Sequence, residues 1–208
     1  IGFMKSFPNT IPIFPLSGVI YFPKTNLPLN VFEKRYLDLV NDCYDKDKLM
    51  GMIQLKREGE EVYNVGCLGK ISDLQKIKDG RILINLTGIT RFQVLEEIKN
   101  EKLYREFKVD YNKFNLDLES KSIELNTESL MSKTKLFFKK NGLLLNWKEF
   151  EKLDEIQRVN TLSMISPVTN EEKQKLLEAL TLEDKIKTLE NIISFYLHDV
   201  NFKNQTIQ

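Results

Sequence analysis

Residues 11–36 read IPIFPLSGVIYFPKTNLPLNVFEKRY, with Pro12, Pro15, Pro23 and Pro28 interrupting the apolar stretches. Proline fixes φ and has no amide hydrogen to give a sheet ladder, which predicts edge strands and fixed turns here and argues against a helix. Pro8 also falls in this early region, and Pro167 is the one proline beyond it. The stretches IPIFPL and LPLNVF are divided by the turn dipeptides Ser17-Gly18 and Pro23-Lys24. Leu27, Leu29, Val31 and Phe32 are expected to feed a barrel core. The pattern then changes. Tyr36, Leu37, Leu39, Val40, Cys43 and Tyr44 recur every three or four positions, which predicts one amphipathic helix over residues 33–44.

Working outward, residues 49–114 return to a strand pattern rich in β-branched and aromatic side chains: MGMIQL, VGCLGKISDLQKI, RILINLTGITRFQVLEEI and LYREFKVDY. Asp79-Gly80 is a tight hairpin signal between Ile77 and Arg81, and Asn100-Glu101 is expected to close a second hairpin. Strands at this spacing with one short helix imply a small curled or barrel-like sheet. After about Leu116 the strand signal ends, and Gly142 and Pro167 are the only glycine or proline left. Ile123, Thr127, Leu130, Thr134 and Phe137 form one helical stripe, and Leu182, Ile186, Leu189, Ile193, Tyr196 and Val200 another. Residues 147–165 and 170–180 read as two further helices broken at Ser166-Pro167, with Thr169 and Glu172 spaced for a capping box. The expected class is α+β: a β-rich part over residues 4–116, taking Met4 as the natural start, and a helical bundle over 117–208.

Composition removes several classes of function. Apolar residues make up 41% and charged residues 29%, and 31 basic against 30 acidic side chains leave a net charge of +1. No global field draws such a chain to nucleic acid or an anionic membrane. No window approaches the length of a membrane helix and no signal-peptide pattern opens the chain, so a cytoplasmic location is expected. Cys43 and Cys67 form no CxxC pair, and His198, the single histidine, lies on the last helix near the chain's end, where the helix dipole gives it a structural role. Neither a metal centre nor a histidine-dependent triad is expected. Phosphate-binding glycine loops are absent, and Gly66-Cys67-Leu68-Gly69-Lys70 reads as a strand with a bulge or close packing. The lysines at 133, 135, 139 and 140 around Phe137 and Phe138 read as a solvated face over packed phenylalanine. No catalytic residue and no cofactor is assigned.

The order of motifs is more telling than any one of them. IPIFPLSGVIYFP, LPLNVFEKRY, VGCLGKI, DGR and LTGITRFQV follow one another as in the N-terminal substrate-binding (LON) domain of the Lon ATP-dependent protease family, which this chain resembles closely over residues 11–111. The helical remainder resembles it more loosely, through Trp147, the EKQKLL stretch at 172–177 and helix periodicity. The resemblance implies a PUA-like β pseudo-barrel with one short helix, followed by a C-terminal helical bundle. It also implies a non-enzymatic module that binds unfolded or peptide segments of client proteins, with a separate protease as a candidate partner, because the family's ATPase and protease modules follow this domain. The residues after Leu116 are too few for either.

Candidates for contact with peptide come from the same motifs: Phe14, Phe22, Phe32, Glu33, Arg35, Tyr36, Arg91 and Phe92. The charged members invite a structural reading as well. A bidentate pair between Glu33 and either Arg35 or Arg91 would pin the helix to the sheet. Two other classes compete with peptide binding. PUA-like barrels also occur in RNA-binding proteins, against which the near-zero net charge argues, and a related domain occurs in a small-ligand receptor whose cysteine-rich zinc module has no counterpart here.

Overall fold

The computed structural model describes residues 6–57, 59–119 and 124–205, with side chains on the last helix described as far as Asp199. Met4, Ile123 and the Val200 side chain lie outside that set. Among the described residues six strands carry the first half: β1 Thr10–Pro15, β2 Asn26–Val31, β3 Leu49–Ile53, β4 Val65–Lys76, β5 Ile82–Ile98 and β6 Arg105–Asp110. They pair in the order β2-β5-β4-β3-β1-β6, and a further β5–β6 pairing closes a five-stranded barrel from which β2 projects. The length of β5 makes this possible. Its first half pairs with β2, from Ile82↔Val31 to Thr87↔Asn26, and its second half with β6, from Gln93↔Asp110 to Ile98↔Glu106. Register shifts at Leu68/Gly69 and Ile71/Asp73 bend β4 around the curve.

β1 departs from the edge position that its prolines predict, since it lies between β3 and β6. The Leu16 amide donates to Ile53 O at 2.9 Å, so by strand alternation the even-numbered positions of β1 face β3 and the odd-numbered ones β6. Pairing with β3 begins at Ile13, and pairing with β6 ends there. Pro12 therefore faces β3 just before that ladder starts, and Pro15 faces β6 just after that ladder stops. Each proline sits where no partner is waiting for an amide. The true edge is β2, with Pro28 opposite Asn85.

The turn between β1 and β2 closes over the barrel through two glycines. A Cβ on Gly69 would fall 2.3 Å from Tyr21 Oη, and one on Gly88 would fall 2.0 Å from Phe22 O. The space they leave lets Tyr21 donate to Cys67 O at 2.9 Å and Lys24 N to Gly88 O at 2.9 Å. Between β2 and β3, helix α1 (Lys34–Tyr44) buries Tyr36, Leu39, Val40 and Cys43. Tyr36 stacks on Phe14 with ring centroids 3.8 Å apart. Phe32 does not enter the core as expected; it is 66% exposed. The Asp79-Gly80 hairpin forms, with Ile77 N bonded to Arg81 O and Gly80 at φ +95°.

A 3₁₀ segment, Asn112–Leu118, follows β6, and among the described residues five helices come after it: α2 Glu128–Lys140, α3 Trp147–Phe150, α4 Glu155–Ile165, α5 Asn170–Glu178 and α6 Leu182–Gln205. The helix expected over 147–165 is two helices, because Asp154 and Gln157 form a capping box that restarts the chain at Glu155. Thr169 and Glu172 form the anticipated box at the start of α5. His198 is exposed and two turns short of the end of α6, away from the last-turn position in which the dipole would favour it. Phe137 and Phe138 are buried, with Lys133 on Glu190 at 3.1 Å and Lys135 on the Trp147 ring at 5.3 Å.

One apolar cluster crosses the position where the sequence divides barrel from helices. Ile20, Phe22, Val65 and Phe114 pack with Leu130, Phe150, Leu162, Leu176, Leu189 and Ile193. Polar side chains reinforce the junction: Gln54 Nε2 donates to Gln174 Oε1 (3.2 Å) and Asn170 O (3.0 Å), Gln174 to Val65 O (3.2 Å), and Lys173 to Gly18 O (2.9 Å). Among the described residues no helix is long and apolar enough to cross a membrane.

Candidate functional site

Charged side chains concentrate at this junction. Arg91, on β5 directly before the core residue Phe92, is 2% exposed. Its Nε and NH2 bond the two carboxylate oxygens of Asp117 at 3.0 and 2.8 Å, and the Arg91 amide adds a bond at 2.9 Å. The remaining guanidinium donors reach Leu177 O at 2.8 Å, Leu180 O at 3.3 Å and Ala179 O, all at the end of α5. Phe114 lies beneath, with its ring centroid 4.5 Å from Cζ. A planar fork of five donors suits this position, where a carboxylate and a helix C-terminus must be satisfied together. The arginine ties strand, 3₁₀ segment and helix into one unit.

Beside this pair lies Lys185 of α6, 4% exposed. Its Nζ donates to Asn160 Oδ1 of α4 at 2.6 Å and sits 4.1 Å from the centroid of Phe22. Asn160 in turn donates to Pro23 O at 3.4 Å. Burial, reinforced by the Arg91 guanidinium and opposed by Asp117 and Cys67, lowers the Lys185 amine to about 7. Burial pushes the Cys67 thiol far up, and that of Cys43 to about 12, so neither is an activated nucleophile.

Above these groups opens a cleft of about 250 Å³ between barrel and helices. Pro23, Leu116, Ile156, Leu180 and Leu182 give it apolar walls, Asn160, Thr181, Arg91, Asp117 and Lys185 contribute its polar part, and Lys24, Glu119 and Glu183 complete the lining. Leu116 is 55% exposed and Leu180 44%. Among the described residues no cluster of histidine, cysteine and carboxylate side chains could hold a metal.

The profile of the ATP-dependent protease La (LON) substrate-binding domain matches residues 10–194. The chain belongs to the LON substrate-binding domain family. A Lon protease of Syntrophus aciditrophicus is 27% identical over 204 residues, which is 91% of this LON chain and 25% of the relative. One from Cytophaga hutchinsonii is 29% identical over 103 residues, 47% of the chain and 13% of the relative. The chain thus spans an eighth to a quarter of these relatives. Among solved structures, the Lon N-terminal domain protein from Xanthomonas campestris superposes with a TM-score of 0.61 at 22% identity, covering 89% of this chain and 97% of that one. The N-terminal domain of the Mycobacterium avium complex Lon protease gives 0.64 at 14% identity, covering 89% and 98%. These likenesses agree with the pseudo-barrel and helical bundle described above.

Within this LON domain the residues singled out by sequence do not form one site. Phe14, Phe22, Tyr36 and Phe92 are buried in three different apolar clusters. Phe32, Glu33 and Arg35 are exposed at the start of α1. Glu33 pairs with Arg35 at 3.1 Å, but the two are neighbours on the same turn and tie nothing to the sheet. Tyr36 does that work, through Phe14 and a 3.4 Å bond to Pro15 O. Arg91 makes the bidentate bond expected of it, to Asp117 and not to Glu33. Lys185 and Asn160 were not singled out, although a lysine three residues after Leu182 and four before Leu189 stands inside the apolar stripe of α6.

Proposed function

We propose that the chain is a non-catalytic protein-binding module that takes unfolded or peptide segments of client proteins into the cleft between barrel and helices. The observation that carries this reading is the pairing of an open apolar cleft of about 250 Å³ with exposed leucines, Leu116 and Leu180, in its lining. A folded domain gains nothing from leaving leucine in water beside a cavity, whereas an incoming apolar side chain would bury both. Membership of a family defined by substrate binding supports the same reading.

A permanently unfolded protein, such as reduced and carboxymethylated lactalbumin carrying a fluorophore, provides the test. Saturable anisotropy change is expected with the unfolded form and none with the native form. Leu116→Asp combined with Leu180→Asp should weaken binding at least about tenfold, since each leucine loses on the order of 1 kcal/mol or more of burial. Absence of binding, or binding indifferent to both substitutions, would refute the assignment to this cleft.

A further inference from the structure

The charges at the base of the cleft do not balance. Arg91 and Asp117 satisfy each other, with the other guanidinium donors on carbonyls. Lys185 is as deeply buried and enters none of the ion pairs among the described residues; its one hydrogen bond goes to the neutral Asn160 amide oxygen. An ammonium has three donors, and beyond Asn160 and the face of the Phe22 ring it meets no further acceptor among the described residues. Among the described residues the base of the cleft therefore sets two basic groups against one carboxylate, and protonating the second without a counter-charge is costly. The start of α6 adds to the asymmetry. Leu182 and Glu183 line the cleft as the first two residues of this helix, where backbone amides lack the carbonyl four positions back and the dipole is positive.

We infer that the cleft is a carboxylate-binding site: an apolar peptide segment lodges against Leu116 and Leu180, and a carboxylate that it carries pairs with the Lys185 ammonium. This rests on the peptide-binding reading above and names the chemistry that the cleft selects. The lining decides what kind of anion fits. Its apolar walls and the one buried ammonium suit a single carboxylate on an apolar segment, whereas a polyphosphate chain finds no second buried cation free, Arg91 being held by Asp117. That carboxylate belongs either to the free end of a chain or to an aspartate or glutamate side chain.

The groups around Lys185 also fix the response to pH. Arg91 on β5 disfavours its protonation, Asp117 on the 3₁₀ segment and Cys67 on β4 favour it, and burial outweighs them, leaving the amine near 7. An incoming carboxylate favours the ammonium, so binding takes up a proton. Affinity should then fall by up to roughly tenfold for each pH unit above about 7, until the amine of the complex itself titrates.

Three labelled hexapeptides of alternating leucine and serine separate the possibilities: one with a free C-terminal carboxylate, one amidated, and one amidated with an internal aspartate. Anisotropy titrations at about pH 6.5 and 8.5 should show the amidated peptide weakest by at least about tenfold. Tight binding of the first alone assigns the chain end, and equal binding of the first and third assigns any carboxylate. Lys185→Met should lower the favoured peptide to the level of the amide and remove the pH dependence. Because that variant alters a buried group, a second readout uses the unmodified protein: the Lys185 Cε resonance, titrated with and without peptide, should report an amine raised well above 7 in the complex. Equal affinity of all three peptides, with an unmoved Lys185 titration, would overturn the inference while leaving apolar peptide binding intact. Failure of every peptide and of the unfolded protein would overturn both.

Discussion

Replacing Lys185 by methionine keeps the aliphatic stem and removes the charge, and its effect on stability should depend on pH in a calculable way. An amine lowered from 10.5 to about 7 by burial corresponds to on the order of 5 kcal/mol between its charged and neutral forms in the fold. Below about pH 7 the side chain is protonated in both folded and unfolded chains, and the wild type carries the full cost of the buried charge. Between about 7 and 10.5 the unfolded chain binds the proton and the folded one does not, so wild-type stability rises with pH across that window. The variant has no such group. Its stability relative to wild type should therefore decline by about 3 kcal/mol between about pH 7 and about pH 9.5, from roughly 1.4 kcal/mol per unit. Loss of the 2.6 Å bond to Asn160 and of the contact with Phe22 shifts the whole curve but cancels from its slope. Urea unfolding of both proteins at four pH values measures this. A difference that stays constant within about 0.5 kcal/mol across the range would show that the ammonium is compensated in the fold, and would refute the charge argument for the cleft.

Arg91→Met should destabilise by about 3–5 kcal/mol, because it strands the buried Asp117 carboxylate and the carbonyls at the end of α5. Combining it with Asp117→Asn should cost clearly less than the sum of the two single changes, and additive urea midpoints would contradict the pairing. Cys43 and Cys67 are both buried with raised thiols. Native protein should therefore leave both unreacted with a thiol-specific disulfide reagent over minutes, while protein in guanidinium should titrate two thiols. Fast reaction of either in the native state would place it in a different environment.

The parts of the fold legible in sequence were those set by local chemistry. The hairpin at Asp79-Gly80, the capping box at Thr169 and Glu172, and the helix stripe from Tyr36 to Cys43 each depend on residues within one turn of each other. The errors fall where a long-range partner decides. Proline in β1 suggested an edge, because sequence shows the missing amide but not that the neighbouring ladders begin and end at Ile13. Phe32 counted as core together with Leu27, Leu29 and Val31, yet the chain leaves the strand at Val31 and turns into α1, which frees the next side chain to solvent. Arg91 stood out as a charge among core residues, but its partner lies 26 positions away in a 3₁₀ segment that carries no periodic signal. The capping pair Asp154 and Gln157 stands at the correct spacing, but Trp147, Phe150, Leu153, Ile156, Val159 and Leu162 recur every third position across it and read as one continuous helix.

Lys185 shows how a functional group can be marked by its disagreement with its surroundings. Leucine at that position would complete the stripe of α6 and extend the apolar cluster around Phe22 and Leu189, a change that buried ion groups usually tolerate or welcome. The fold instead uses Asn160 of α4, a neutral acceptor, to hold a cation beside a buried carboxylate that is already committed to Arg91. Asp117 does not hydrogen-bond it, since both its oxygens are held by Arg91, whose other donors stop α5 and fasten the helices to β5. An arginine that locks the junction and a lysine left unmatched beside it are thus two consequences of one arrangement. The first keeps the walls of the cleft fixed, and the second leaves the cleft with a charge that a partner's carboxylate can satisfy.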